Sequence, residues 1–214
     1  MIVPPSNKTA GIFKILEYDE VDSTNDEAKR LIRAIASSTS ELSGQKDPSL
    51  LSSSALSGQK EPSLLSSSSS ELYGTIVLAR RQSAGKGRRG KTFFSPGGDS
   101  IYASFILKPP ENLAEQSITT LAGEAVCEAI EKCTSYQPEI KGVNDIFAGG
   151  RKVCGILTEG VPNAVILGIG VNINLEENDF PEELRDIAGS LHLTQEERGR
   201  FFSTLAESVL SLEY

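Results

Sequence analysis

Residues 151–174, RKVCGILTEGVPNAVILGIGVNIN, contain two apolar runs of strand length, 151–160 and 163–174, with Gly160, Pro162 and Asn163 marking a turn between them. A connection that short permits only antiparallel pairing, so the chain must build a sheet around this hairpin. Near-alternation over 12–21 and apolar runs over 74–81 and 100–109 predict further strands, the last stopped by Pro109 and Pro110. Residues 139–150 read as strand, turn, strand, turn. Helices are predicted over 23–36, where Ser23 is a capping residue with Glu27 four positions on, and over 117–134, where Leu121, Ala125, Val126, Ala129 and Ile130 form a stripe. Two more helical patterns follow at about 181–188 and 194–213. Strands outnumber helices and hairpins recur. The expected fold class is therefore α+β: a mixed, mainly antiparallel central sheet with flanking helices.

The 214 residues suffice for one substantial domain, spanning 1–214, with one segment set apart. Residues 37–70 are serine-rich and lack aromatics. They include SGQKDPSLLSSSAL (43–56) followed at once by SGQKEPSLLSSSSS (57–70), a 14-residue tandem copy. Such a segment buries too little apolar surface to offset its ordering entropy, so it reads as a low-complexity insertion on the surface. A regulatory loop is the other reading. No stretch of about 18 apolar residues occurs, and Met1 to Ala10 is polar, so neither a membrane span nor a secretory signal is expected.

Three cysteines, Cys127, Cys133 and Cys154, form no CxxC pair and read as reduced thiols, which places the chain in the cytoplasm. His192 is the one histidine and reads as a surface residue, so nucleophilic catalysis with a histidine base and zinc hydrolysis both lack their groups. A formal net charge of −8 argues against nucleic acid as a partner.

Against that negative charge, QSAGKGRRGKTFFSPGGDS (82–100) gathers Lys86, Arg88, Arg89 and Lys91 within six residues and threads them with glycine. It lies between two predicted strands. Long strand-to-strand loops in compact domains are functional or disordered. Glycines let backbone N–H groups turn toward an anion, and arginines fork onto phosphate or carboxylate. A solvated loop is the plain alternative. The spacing Gly85, Gly87, Gly90 lacks the strand–turn–helix setting of a dinucleotide site, and no P-loop is present. Further on, Lys141 precedes Asn144 and Asp145 at a turn, and Lys152 opens an apolar strand with Gly155 three residues later. Lysines so placed can hold a phosphate, and Asn and Asp oxygens suit Mg²⁺; a turn with a solvated lysine is the alternative. Ser23, Thr24 and Asn25 sit at a helix N-terminus, as caps or facing a ligand. Gly170 and Asn172 end an apolar strand, where glycine marks a bulge or a close backbone approach.

STN, AGKGRRGKTFFSPGGDSIYAS, KGVND, RKVCGILTE and GIGVNIN, in this order, resemble the catalytic domain of the biotin protein ligases (biotin–[acetyl-CoA-carboxylase] ligases) over roughly 12–36 and 72–210. The resemblance implies the biotin/lipoate ligase fold, of class II synthetase-like type. It implies ATP-dependent, AMP-forming activation of biotin to biotinyl-5′-AMP, then transfer to a lysine of the biotin carboxyl carrier protein of acetyl-CoA carboxylase. It implies biotin contacts from Ser23, Thr24, Asn25, Gln82, Gly85, Lys86, Gly87, Arg88, Lys152 and Gly155. For ATP it implies Arg88, Lys91, Phe93, Lys141, Asn144, Lys152 and Asn172, with Asp145 at Mg²⁺. Lys152 and Arg88 would carry catalysis. Members can pair through sheet edges, which makes a homodimer one expectation.

The chain departs from the family pattern in three places. Gly142 and Phe93 stand where tryptophans are usual, and the chain has no tryptophan. The serine-rich insertion enters at a connection that is short in the family. Neither an N-terminal DNA-binding domain nor the small C-terminal β domain is expected in this sequence. Acyl transfer to lipoate or octanoate, and a catalytically weak module that binds biotin or nucleotide, remain the alternatives.

Overall fold

Alternation along one strand divides the molecule. The strand Ile101–Leu107 is buried at every position, with Ile101, Ala103, Phe105 and Leu107 in one hydrophobic cluster and Ile106 in another, so both faces of the sheet are covered there. The computed structural model describes residues 6–10, 13–43, 72–110 and 115–212. Eight strands run in chain order: β1 (Ser6–Ala10), β2 (Phe13–Val21), β3 (Thr75–Gln82), β4 (Ile101–Leu107), β5 (Glu139–Lys141), β6 (Asp145–Ala148), β7 (Arg151–Val161) and β8 (Ala164–Val171). Three helices join them: α1 (Thr24–Ser43), α2 (Glu115–Cys133) and α3 (Gln195–Leu210). The strands form one sheet in the order β1-β2-β3-β4-β8-β7-β6-β5. Only β2 and β3 pair in parallel; every other neighbouring pair is antiparallel. A parallel pair needs a crossover, and α1 lies in it.

Helices α2 and α3 cover one face. Ile118, Ala122, Val126, Ala129 and Ile130 of α2, with Phe201, Leu205 and Val209 of α3, pack on Phe105, Leu167 and Ile169. Helix α1 covers part of the other face, where Ala28 and Ile32 meet Val77, Ala79, Ile106 and Ile166. The rest of that second face carries Tyr102, Gly155, Gly168 and Gly170, which line a pocket instead of packing under a helix.

The expected α+β class holds, and the hairpin that anchors the sequence is β7–β8. Its turn is tighter than expected: β7 runs on through Gly160 to Val161, and only Pro162 and Asn163 remain to turn the chain. Proline presets the first corner, and Asn163 takes the second at φ 63°. Three further elements differ from expectation. Strand β1 was not visible because its residues are polar and it is an edge strand; backbone pairing with β2 holds it. Helix α1 continues to Ser43, into the segment set apart from residue 37; residues 44–70 lie outside the described residues. The helix expected over 181–188 is a single 3-10 turn, Glu182–Leu184. Lys152 N–H donates to Ile187 O at 2.8 Å and Gly189 N–H to Lys152 O at 2.9 Å, which draws 187–189 alongside β7. The last helix is α3, capped by Thr194, whose hydroxyl accepts from Glu197 N–H while the Glu197 side chain accepts from Thr194 N–H. Among the described residues no helix is long and apolar enough to cross a membrane.

Candidate active site

A cavity of about 290 Å³ lies between the uncovered part of the sheet, the N-terminus of α1 and the loop 83–100. Its floor is made of glycine for a geometric reason. A Cβ at Gly170 would stand 2.5 Å from the Phe93 ring, one at Gly155 2.8 Å from it, and one at Gly168 2.3 Å from Asn25 Oδ1. The trough thus lies against the Phe93 ring, which also meets Tyr102 edge-on with centroids 6.3 Å apart.

One end of the cavity is polar and uncharged. Thr24 N–H donates to Gln82 Oε1 at 2.8 Å, Gln82 Nε2 donates to Ser95 Oγ at 2.9 Å, and Ser95 Oγ donates to Phe93 O at 3.1 Å. Ser104, on the same face of β4 as Tyr102, donates to Asn25 Oδ1 at 2.6 Å. Asn25 Nδ2 donates to Leu157 O at 3.3 Å and to Glu159 Oε2 at 2.8 Å. Ser23, Thr24 and Asn25 are all buried.

The other end is charged. Arg88 Nη1 donates to Asn144 Oδ1 at 3.1 Å, Asn144 Nδ2 donates to Asp145 Oδ1 at 2.9 Å, and Lys152 Nζ stands 2.7 Å from the same oxygen. The loop arginine is thereby linked through β6 to the lysine of β7. Arg89 and Lys91 also line this end, and their side chains make no ion pair among the described residues. Arg89 is held at φ 57°, a left-handed conformation that a non-glycine residue rarely adopts. Lys86 instead latches the loop to α1, its Nζ 2.6 Å from Asp26 Oδ2. Burial raises the Asp26 carboxyl, but its hydrogen bonds with Lys86 and Lys29 outweigh that and hold it below its ordinary value.

The cavity wall includes Ser23, Thr24, Asn25, Gln82, Lys86 and Gly87 of the expected residues, and at the charged end Arg88, Lys91, Asn144, Asp145 and Lys152, with Phe93 and Gly155 between. Three others lie off the wall. Gly85 is packed under the loop, where a Cβ would stand 2.4 Å from Phe93 O. Lys141 Nζ sits 4.1 Å over the Phe147 ring and 3.7 Å from Glu139, because alternation on β5 turns it toward those neighbours. Asn172 donates from Nδ2 to Gly189 O at 3.1 Å, and its Oδ1 is buried without a partner. Phe93 rests on the glycine trough, not on an open face awaiting a base, so the trough at Gly155 carries the ring where a ligand was expected. Tyr102, Ser104, Gly168 and Glu159 were missed. Ser104 and Tyr102 are legible only as alternate positions of a strand apolar on both faces, and Glu159 only once β7 is placed beside α1.

A magnesium ion fits this donor set in one respect. Asp145 is the one carboxylate on the cavity wall among the described residues, its Oδ1 is committed to Lys152 and Asn144, and Oδ2 makes no such bond. One carboxylate oxygen plus phosphate oxygens is a usual Mg²⁺ shell.

Residues 59–176 match the model of the Biotin/lipoate A/B protein ligase family, and the chain belongs to that family. The bifunctional ligase/repressor BirA of Bacillus subtilis (strain 168) is 44% identical over 124 residues, 55% of this chain and 38% of the relative. The biotin–[acetyl-CoA-carboxylase] ligase of Paracoccus denitrificans is 36% identical over 105 residues, 45% of this chain and 43% of the relative. The chain thus matches less than half the length of these relatives. The biotin protein ligase from Aquifex aeolicus, in complex with biotin and ATP, superposes with a TM-score of 0.61 at 27% identity, covering 91% of this chain and 69% of that one.

Proposed function

We propose that the chain is an ATP-dependent biotin protein ligase. One observation carries the reading: a single cavity joins an uncharged end of hydrogen-bond acceptors to an end lined by Arg88, Arg89, Lys91 and Lys152. Biotin offers the complement, ureido N–H groups at one end and a carboxylate at the other. Lipoate has no N–H to give and so gains no hydrogen bond from the acceptors there. The ligase relatives support the same choice.

In the first step a biotin carboxylate oxygen forms a bond to the α-phosphorus of ATP, and the bond from that phosphorus to the pyrophosphate oxygen breaks. Two unit charges 4 Å apart repel by about 4 kcal/mol at an effective dielectric of about 20, so the reactants meet only where cations offset this. In this reading Lys152, paired with Asp145 beside the trough, touches both anions, and Arg88 reaches them from the loop. No histidine base is needed, since the carboxylate is already ionised. In the second step a lysine amine of a carrier attacks the acyl carbon, the bond to AMP breaks, and the nitrogen loses a proton.

Ser23, Thr24, Asn25 and Gln82 serve the biotin end in this reading, with Lys86 and Gly87 shaping the loop and Gly155 seating the Phe93 ring. Lys91 and Asn144 serve the nucleotide end. Mg²⁺, held by the phosphates and Asp145, would supply charge neutralisation. The acceptor proposed is a biotin carboxyl carrier protein in the cytoplasm, and residues 1–214 act as one catalytic domain. The test is incubation with labelled biotin, MgATP and a biotin carboxyl carrier domain. Labelled adenylate and labelled carrier are expected. Neither product at high enzyme concentration overturns the reading.

A further inference from the structure

Glu159 lies beyond the cavity wall, yet a line of hydrogen bonds runs from it into the polar end. Each proton in that line has one place to go. Lys29 Nζ donates to Glu159 Oε1 at 2.7 Å. Glu159 Oε2 can only accept, as can Leu157 O, so Asn25 must turn Nδ2 toward them and Oδ1 away. Oδ1 then faces Ser104 at 2.6 Å and can only accept, so it takes the single Ser104 proton. Thr24 Oγ1 stands 2.8 Å from Ser104 Oγ and 3.1 Å from Gln82 Oε1. With the Ser104 proton already committed, Thr24 spends its own proton on one of these two oxygens. Gln82 is fixed the same way, because Thr24 N–H can only donate. Thr24 and Gln82, both on the cavity wall, therefore offer a lone pair, on Thr24 Oγ1 where its proton goes to Gln82 and on Gln82 Oε1 where it goes to Ser104, and no free hydroxyl proton comes from Thr24 or Ser104.

We propose that Glu159, braced by Lys29, is a positioning residue for substrate selection: its carboxylate, through the shorter of the two bonds that Asn25 Nδ2 makes and together with Leu157 O, sets the direction of every proton from Asn25 to Thr24, so that the buried end of the cavity accepts N–H donors. This rests on the biotin reading and names the residue behind it. Glu159 touches no substrate; it acts through Asn25. The packing of Gly168 against Asn25 Oδ1 keeps the amide in place but cannot choose its orientation, since oxygen and nitrogen are nearly the same size.

The test uses an isosteric change and its compensation. In Glu159→Gln, Lys29 still demands an acceptor and claims the new amide oxygen, which leaves an N–H₂ facing Asn25. Asn25 then keeps only its longer bond to Leu157 O at 3.3 Å, or flips and gives that up too, and its present orientation, with the protons beyond it, loses its stronger support. Biotin binding should weaken about tenfold, the usual cost of one mismatched buried hydrogen bond, while ATP binding holds. Adding Lys29→Met frees the introduced amide to rotate and offer its oxygen to Asn25. The Glu159→Gln penalty measured in the Lys29→Met background should then shrink to about twofold or less, a coupling that a double-mutant cycle isolates. A merely structural Glu159 predicts two losses that add, with ATP affected as much as biotin. Equal biotin affinity in Glu159→Gln and the parent, or an undiminished penalty in the Lys29→Met background, overturns the proposal. If the parent chain binds no biotin in the same calorimeter, the biotin reading itself falls.

Discussion

Lys152 and Arg88 are the two side chains on which the chemistry turns, and they differ in how they are held. Lys152 is on a strand, with its ammonium paired to Asp145. Arg88 is on the loop, exposed, and joined to the sheet by one hydrogen bond to Asn144. Lys152→Ala should lower the rate of adenylate formation by about 10² or more, the scale of losing one preorganised charge donor, and leave the melting temperature nearly unchanged. Arg88→Ala should do the same and, in addition, raise the KM for ATP. Pyrophosphate exchange measures both, and full exchange in either variant would misplace the site. Residue identities of this kind were readable in the sequence because four cations and three glycines crowd into 85–91 of an otherwise acidic chain. Orientation was not: Lys141 and Asn172 have the right chemistry, but strand alternation and the contact with Gly189 turn them away from the cavity.

Helix α1 is the element that brings the polar end together, and its start is clamped from outside. Arg30 forks onto Asp22, donating to Oδ1 at 2.6 Å and Oδ2 at 3.0 Å, and its Nε donates to Glu27 at 2.7 Å. The hydrogen bonds from Arg30 lower the Asp22 carboxyl from its ordinary 3.8 to about 2. A depressed carboxyl contributes stability that is fully present above its unfolded value and lost as pH falls through the folded one. Amide exchange of α1 should therefore speed up between about pH 4 and pH 2, with the effect much reduced in Asp22→Asn; identical profiles in the two would remove the clamp from the account. The sequence showed this helix by its apolar spacing, and showed the sheet by its runs and turns. Its far end and strand β1 were hidden because neither has an apolar pattern to announce it. Over 181–188 a helical pattern yields to backbone bonds with β7 that no local signal encodes.

The whole molecule carries a formal charge of −8 and concentrates cations at one mouth. Its field repels nucleotides at long range and attracts them only close by. Exposed cations are screened over about 8 Å at physiological salt, so ATP affinity should fall steeply as salt rises from about 0.05 to about 0.5 M, while biotin, which brings a single carboxylate to the charged end, should lose less. Equal salt dependence of the two would mean that the phosphates do not lie at the charged end. The one parallel pairing in the sheet has a separate consequence. Strands β2 and β3 are joined by a connection that must leave the sheet and return, so its length is not fixed by their register. The tandem repeat falls within that connection, between Ser43 and Leu72. A 14-residue unit copied within that connection changes its length and demands no change in how β2 pairs with β3.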